Sequence, residues 1–171
     1  MIVVDASALI ALTKIGRLRL LPEVYGEGAI APAVRREVVE KGRAVGAPEV
    51  RQIERAIEEQ WIREVRLTVA EKKMARQMVT GARLGQGESE SLALARYRNW
   101  TVVLDDKEAR WLAETAGVEY LGTAGVLLEA LVAGRFDYDE LQDAAADLGK
   151  VLWLSPDVVA EILKRAKGVR R

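Results

Sequence analysis

The chain has 171 residues, of which half are hydrophobic and 30% charged, the balance of an ordinary globular domain long enough to bury one core without covalent staples. Its 26 basic and 26 acidic side chains cancel, so there is no polybasic coat for indiscriminate binding to polyanions. There is no His and no Cys, which excludes a His-based triad, a thiolate nucleophile, a disulfide scaffold and the usual zinc site. Carboxylates remain as the main route to chemistry, and they hold hard divalent cations such as Mg²⁺ or Mn²⁺.

No apolar run approaches the ~18 residues of a membrane span. The most apolar stretch, 123–134, is interrupted by Glu129. No basic segment precedes Asp5, so no signal peptide is read, and the expectation is a cytoplasmic protein without membrane contact.

In chain order, Ile2-Val3-Val4-Asp5 is a short apolar run closed by a turn residue, the pattern of a buried strand. Ser7 can cap a helix over 8–15 that continues past Gly16 toward Leu21, with Pro22 and the Gly26/Gly28 pair as punctuation before the apolar piece 29–31. Pro32 suits the first position of a helix running to Lys41 and ending at Gly42, and Pro48 opens another through Glu59. Residues 61–67 alternate weakly, as an edge strand does. Helices over 69–84 and 88–98 are separated by Gly85 and Gly87. A β-branched strand, 101–104, leads to a helix over 106–116 with Trp111 and Leu112 inward and Lys107 and Arg110 outward. A short strand, 118–121, and a largely buried helix, 123–133, follow, and beyond Gly134 only helices are read, over 138–148 and 156–167.

This alternation predicts an α/β domain, a central parallel sheet with helices on both faces, over 1–134. Residues 135–171 form a C-terminal helical extension packed on the same domain. The basic tail Lys164, Arg165, Lys167, Arg170 and Arg171 reads as helix-terminal charge.

Sites in parallel α/β sheets lie at the carboxyl ends of the strands. Asp5 ends the first strand and Asp105-Asp106 another, so both reach the same edge. Glu37 on an early helix, and Glu88 with Glu90 at the start of a later one, could join them. Crowded carboxylates repel, and a divalent cation resolves the repulsion. Each acid also has a simpler reading: Asp5 and Asp106 as N-caps, Glu88 and Glu90 as partners of a helix dipole, and Glu37 as surface charge.

Four segments together resemble the PIN-domain family of metal-dependent nucleases, in particular toxin ribonucleases of the VapC type. They are Ile2-Val3-Val4-Asp5-Ala6-Ser7, Ala31-Pro32-Ala33-Val34-Arg35-Arg36-Glu37-Val38, Gly85-Gln86-Gly87-Glu88-Ser89-Glu90, and Val102-Val103-Leu104-Asp105-Asp106-Lys107. The resemblance implies a PIN-like three-layer fold and an acidic pocket for Mg²⁺ or Mn²⁺ that hydrolyses RNA. Asp5, Glu37, Glu88 and Asp106 match the four catalytic acids, with metal contacts from Asp5, Asp106, Glu88 and Asp105. Ser7 and Glu90 would support the pocket. Two departures are visible: the third acid, often Asp, is Glu88 with Glu90 close behind, and Leu104 stands where the family usually carries Thr, with Asp105 doubling the acid. Arg35, Arg36, Lys107 and Arg110, with Arg83, are the candidates to meet substrate phosphates. An antitoxin protein as partner and a homodimer also follow from the resemblance. The alternative is a PIN-like module that binds nucleic acid or protein with little or no catalysis.

Overall fold

The computed structural model describes residues 1–152, 154 and 156–169, so Arg170 and Arg171 of the basic tail lie outside the described residues. Five short strands, β1 (Ile2–Val4), β2 (Gly28–Ile30), β3 (Ile62–Glu64), β4 (Thr101–Val103) and β5 (Tyr120–Leu121), form one sheet in the order β3-β2-β1-β4-β5. Every pairing is parallel, with Val4 opposite Val103 in the central pair. Ile2, Val3, Val4, Ala29, Ile30, Val102 and Val103 are fully buried, because helices cover both faces and leave no polar side to alternate with. β3 is an edge strand, as its weak alternation predicts.

The helices are α1 (Ala6–Lys14), α2 (Leu20–Tyr25), α3 (Pro32–Arg35), a π-helical segment (Arg36–Lys41), α4 (Gly42–Ala44), α5 (Val50–Glu58), α6 (Val69–Ala82), α7 (Gln86–Arg98), α8 (Lys107–Thr115), α9 (Thr123–Val132), α10 (Tyr138–Leu152) and α11 (Pro156–Val169). Three details differ from the sequence reading. Gly16, at φ +69°, stops α1, and Pro22 lies inside α2, within the first turn where its missing N–H costs no helical bond. The helix expected over 32–41 passes into the π-helical segment, whose wider turn carries Glu37. On α8, Trp111 faces outward at 63% exposure, while Ala109 and Ala113 are fully buried. Two alanines let α8 lie close to the sheet, leaving no space beneath it for an indole ring.

The chain leaves β1 toward β2 and β3, then returns to place β4 on the other side of β1. The strand order therefore reverses between β1 and β4, and a crevice opens beyond their carboxyl ends. The two C-terminal helices share the main core: Leu141, Ala144, Ala145 and Leu148 of α10, and Ile162 and Ala166 of α11, are buried in the same apolar cluster as the sheet. Among the described residues no helix is long and apolar enough to cross a membrane.

Candidate active site

Asp5 leaves β1 at this crevice and is only 2% exposed. Its Oδ1 accepts from the Ala8 N–H at 2.8 Å, and its Oδ2 accepts from the Ser7 hydroxyl at 2.9 Å. The same residue thus caps α1 and presents a buried carboxylate at the sheet edge. Burial is the main force on its carboxyl, followed among charges by Asp105 and then Glu88; against the pull of the Ala8 and Ser7 bonds, they push its pKa up to about 7.

Glu88 sits in the first turn of α7, where its Oε2 accepts from the Gly85 N–H at 3.0 Å. Partial burial raises its pKa, with Asp106, Glu37 and Glu108 adding to the rise. Those three neighbours and Glu88 define the acidic edge, since Glu88 feels charges from α8, its N-cap and the π-helical segment together. Glu37 is located by a second measure: its Oε2 lies 3.5 Å from the position a Cβ would take on Gly87. Asp106 caps α8, its Oδ1 accepting from the Ala109 N–H at 2.8 Å. Glu108, one residue into that helix, joins the group although no sequence motif marks it.

The doubled acids separate. Residues two apart on a helix point about 200° away from each other, and Glu90 accordingly turns from Glu88 toward α3. There its Oε2 accepts from the Ala33 N–H at 2.8 Å, and its Oε1 accepts from the Gln86 amide at 3.0 Å. Asp105 turns inward: its Oδ1 accepts from the Thr123 N–H at 2.9 Å and from Arg110 at 3.3 Å, and its Oδ2 accepts from the Thr123 hydroxyl. Asp105 therefore fastens the start of α9 while remaining close enough to raise the Asp5 pKa.

The candidate phosphate ligands also divide. Arg110 donates to the Leu104 carbonyl at 2.7 Å as well as to Asp105, and a Cβ on Gly122 would stand 2.6 Å from its guanidinium. Arg35 is held between Glu40 at 3.0 Å and Glu64 at 3.4 Å. Arg36 lies 3.7 Å from Glu90 and Lys107 is exposed at the head of α8. Arg83 takes the left-handed conformation that ends α6.

Among the described residues, Asp5, Glu37, Glu88 and Asp106 have no Lys or Arg within ion-pair distance. Also among the described residues, no three acids stand close enough to form a ready-made cation cage. In donor chemistry the four acids suit a hard divalent cation, being all carboxylate oxygen without a Lys or Arg partner among the described residues, but they would have to draw closer to enclose one. Helix capping engages Oε2 of Glu88 and Oδ1 of Asp106.

A parallel α/β sheet with acids gathered at its switch point is the architecture of a PIN domain, a nuclease-type fold. The chain belongs to the PIN-domain family: DUF3368, a PIN domain, matches residues 1–168 and so embraces both C-terminal helices. No curated protein and no solved structure matches the chain.

Proposed function

We propose that the protein is a divalent-metal-dependent ribonuclease that hydrolyses phosphodiester bonds at the acidic edge. The observation that carries this reading is the buried Asp5 carboxyl, held beside Asp105 and Glu88, pushed up to about 7 and without a Lys or Arg partner among the described residues. A nuclease-type fold with such a group has a use for Mg²⁺ or Mn²⁺. Asp5, Glu88 and Asp106 would hold it, with Glu37 beside them. A bound cation would supply Lewis-acid polarisation of the phosphoryl oxygens and acidify the attacking water.

The chain's own groups supply the rest. Ser7 fixes the Asp5 carboxylate so that one orientation is presented to the crevice. Glu88, with its pKa raised, is suited to accept the proton of the attacking water. Glu37 orients water from the π-helical turn. Such turns occur disproportionately at functional sites because the extra residue displaces a side chain from the regular helical face.

As the toxin half of a toxin–antitoxin pair the protein would meet an antitoxin and form a homodimer. Support for that narrower reading comes from the likeness of the four segments to VapC-type ribonucleases. A second reading, a PIN-like module that binds without cutting, is favoured by one observation: Asp5, Glu88 and Asp106 all serve as helix-capping groups, a structural task that needs no cation. Mn²⁺ titration by electron paramagnetic resonance separates the two. Saturable binding to the wild type, lost in Asp5→Asn, supports the enzyme; no saturable binding supports the module.

A further inference from the structure

Between residues 65 and 84 the chain carries Arg66, Lys72, Lys73, Arg76 and Arg83 against a single acid, Glu71. Glu71 is 2% exposed and is engaged internally, accepting from Arg98 Nε at 2.8 Å and from the Thr68 N–H at 2.6 Å. The outer face of α6 is therefore positively charged in a molecule whose net charge is zero. Among the described residues, Arg66, Lys72, Lys73 and Arg76 form no ion pair, whereas Arg63 just upstream is paired with Glu27 and Arg43 with Glu54.

These cations line a depression. A groove of about 710 Å³ runs along α6, with Leu67, Ala75 and Val79 among its apolar walls and Arg66, Lys72 and Arg76 among its charged ones. Lys73 lines a second hollow of about 530 Å³ on the same helix, which shares Lys72, Arg76 and Thr80 with the first. Lys72, Arg76 and Thr80 follow one another at four-residue intervals, a polar stripe rising about 6 Å per step. At its other end the groove meets Arg36, Gln86 and Glu90. Gln86 directly precedes Gly87-Glu88 and Arg36 directly precedes Glu37, so this end of the groove lies on the two segments that carry the acidic edge, on the side taken by Glu90.

Resting on the nuclease reading above, we propose that this groove is the track for single-stranded RNA, with Arg66, Lys72 and Arg76 taking backbone phosphates and Arg36 standing at the junction with the acidic edge. Charge complementarity favours a polyanion, and the apolar wall favours unpaired bases, which can lie against the exposed Val79 and the small surfaces that Leu67 and Ala75 show in the groove while the phosphates meet the rim. A duplex would keep its bases from that wall. An acidic peptide shares the charge but brings no unpaired bases to lie against the apolar wall.

The test is fluorescence anisotropy of a short labelled single-stranded RNA, titrated in EDTA over a range of salt. It compares the wild type, an Arg66→Ala/Lys72→Ala/Arg76→Ala variant, and an Arg51→Ala/Arg135→Ala control that removes exposed charge elsewhere. The triple variant should bind about tenfold or more weakly, and its dependence of log K on log salt should be shallower by about 2, with the control unchanged. A Lys72→Glu/Lys73→Glu variant, checked by circular dichroism, should show the same loss. Equal binding and equal salt slope in wild type and triple variant would overturn the proposal. So would displacement of the RNA by duplex or poly-glutamate as readily as by unlabelled RNA. Cleavage in Mn²⁺ is measured on the same proteins. RNA cutting that the triple variant retains in full overturns the track and leaves the nuclease, whereas groove-dependent binding without cutting leaves the track and overturns the nuclease.

Discussion

Asp105 is the charged neighbour that most strongly raises the pKa of Asp5, although its own carboxylate is turned away to hold the Thr123 N–H and hydroxyl. The two acids leave adjacent parallel strands, β1 and β4, at the point where the strand order reverses. One presents a buried carboxylate to the crevice, and the other secures the next helix and pairs with Arg110, so among the described residues it is Asp5 that has no Lys or Arg partner.

That arrangement makes the cation-free protein sensitive to pH. The Asp5 carboxyl is raised from 3.8 to about 7, so the folded state binds its proton more tightly than the unfolded chain does. Its stabilising contribution is complete below pH 4 and disappears as pH rises through 7, a change of about 4 kcal/mol. In EDTA at pH 8, Asp5→Asn should melt above the wild type; at pH 4 this advantage should vanish. Added Mg²⁺ should stabilise the wild type and leave Asp5→Asn where it was. Thermal melts at the two pH values check both statements.

Arg110 occupies the space that a side chain at residue 122 would need, its guanidinium lying 2.6 Å from that position. Gly122→Ala should displace the flexible end of the Arg110 side chain, weaken the Asp105 brace on α9 and cost about 1 kcal/mol. Urea denaturation gives the value, and Gly122→Ala combined with Arg110→Ala should lose less than the sum of the single changes.

Glu71 and Arg98 tie α6 to α7. Burial pushes the Glu71 carboxyl up, but the Arg98 fork and the Thr68 bonds outweigh it and hold the pKa below the usual range. The contribution is therefore present above the ordinary carboxylate range and is lost as pH falls through the lowered folded value. Arg98→Met would leave the Glu71 charge buried alone and should cost about 2–3 kcal/mol, part of the full penalty because Arg98 is itself partly exposed. Acid titration of the two proteins should converge at low pH, where Glu71 is protonated in both.

Gly42 follows the π-helical segment, and a Cβ there would lie 2.8 Å from Val50 Cγ2. Gly42→Ala should destabilise by about 1–3 kcal/mol despite the better helix propensity of alanine. Val50→Ala in the same chain should recover part of that loss, and denaturation of the double mutant measures the coupling.

Much of this architecture was legible in the residues. Short β-branched runs marked the strands, and the acids that close β1 and follow β4 fell at one edge because parallel strands share a direction. Some features depended on packing and were not legible. The π-helical turn under Glu37 has no local signature in the residues 36–41 that form it. Trp111 was read inward on helical period, but Ala109 and Ala113 claim the inner face of α8 and Arg110 reaches back to the Leu104 carbonyl. Period alone shows that Glu88 and Glu90 diverge; it does not show which one meets Asp106. The cations of α6 were passed over for the arginines adjacent in sequence to the acids, because nothing local reveals that Glu71 is consumed by Arg98.

Cleavage of a mixed pool of single-stranded and structured RNAs by the pure protein, in Mg²⁺, Mn²⁺ and EDTA and beside Asp5→Asn, tests the central claim most directly. The account predicts cutting that requires the cation and falls by about 10² or more in Asp5→Asn. Cutting that persists in EDTA or in Asp5→Asn, or a folded wild type that cuts nothing with either cation, would contradict it.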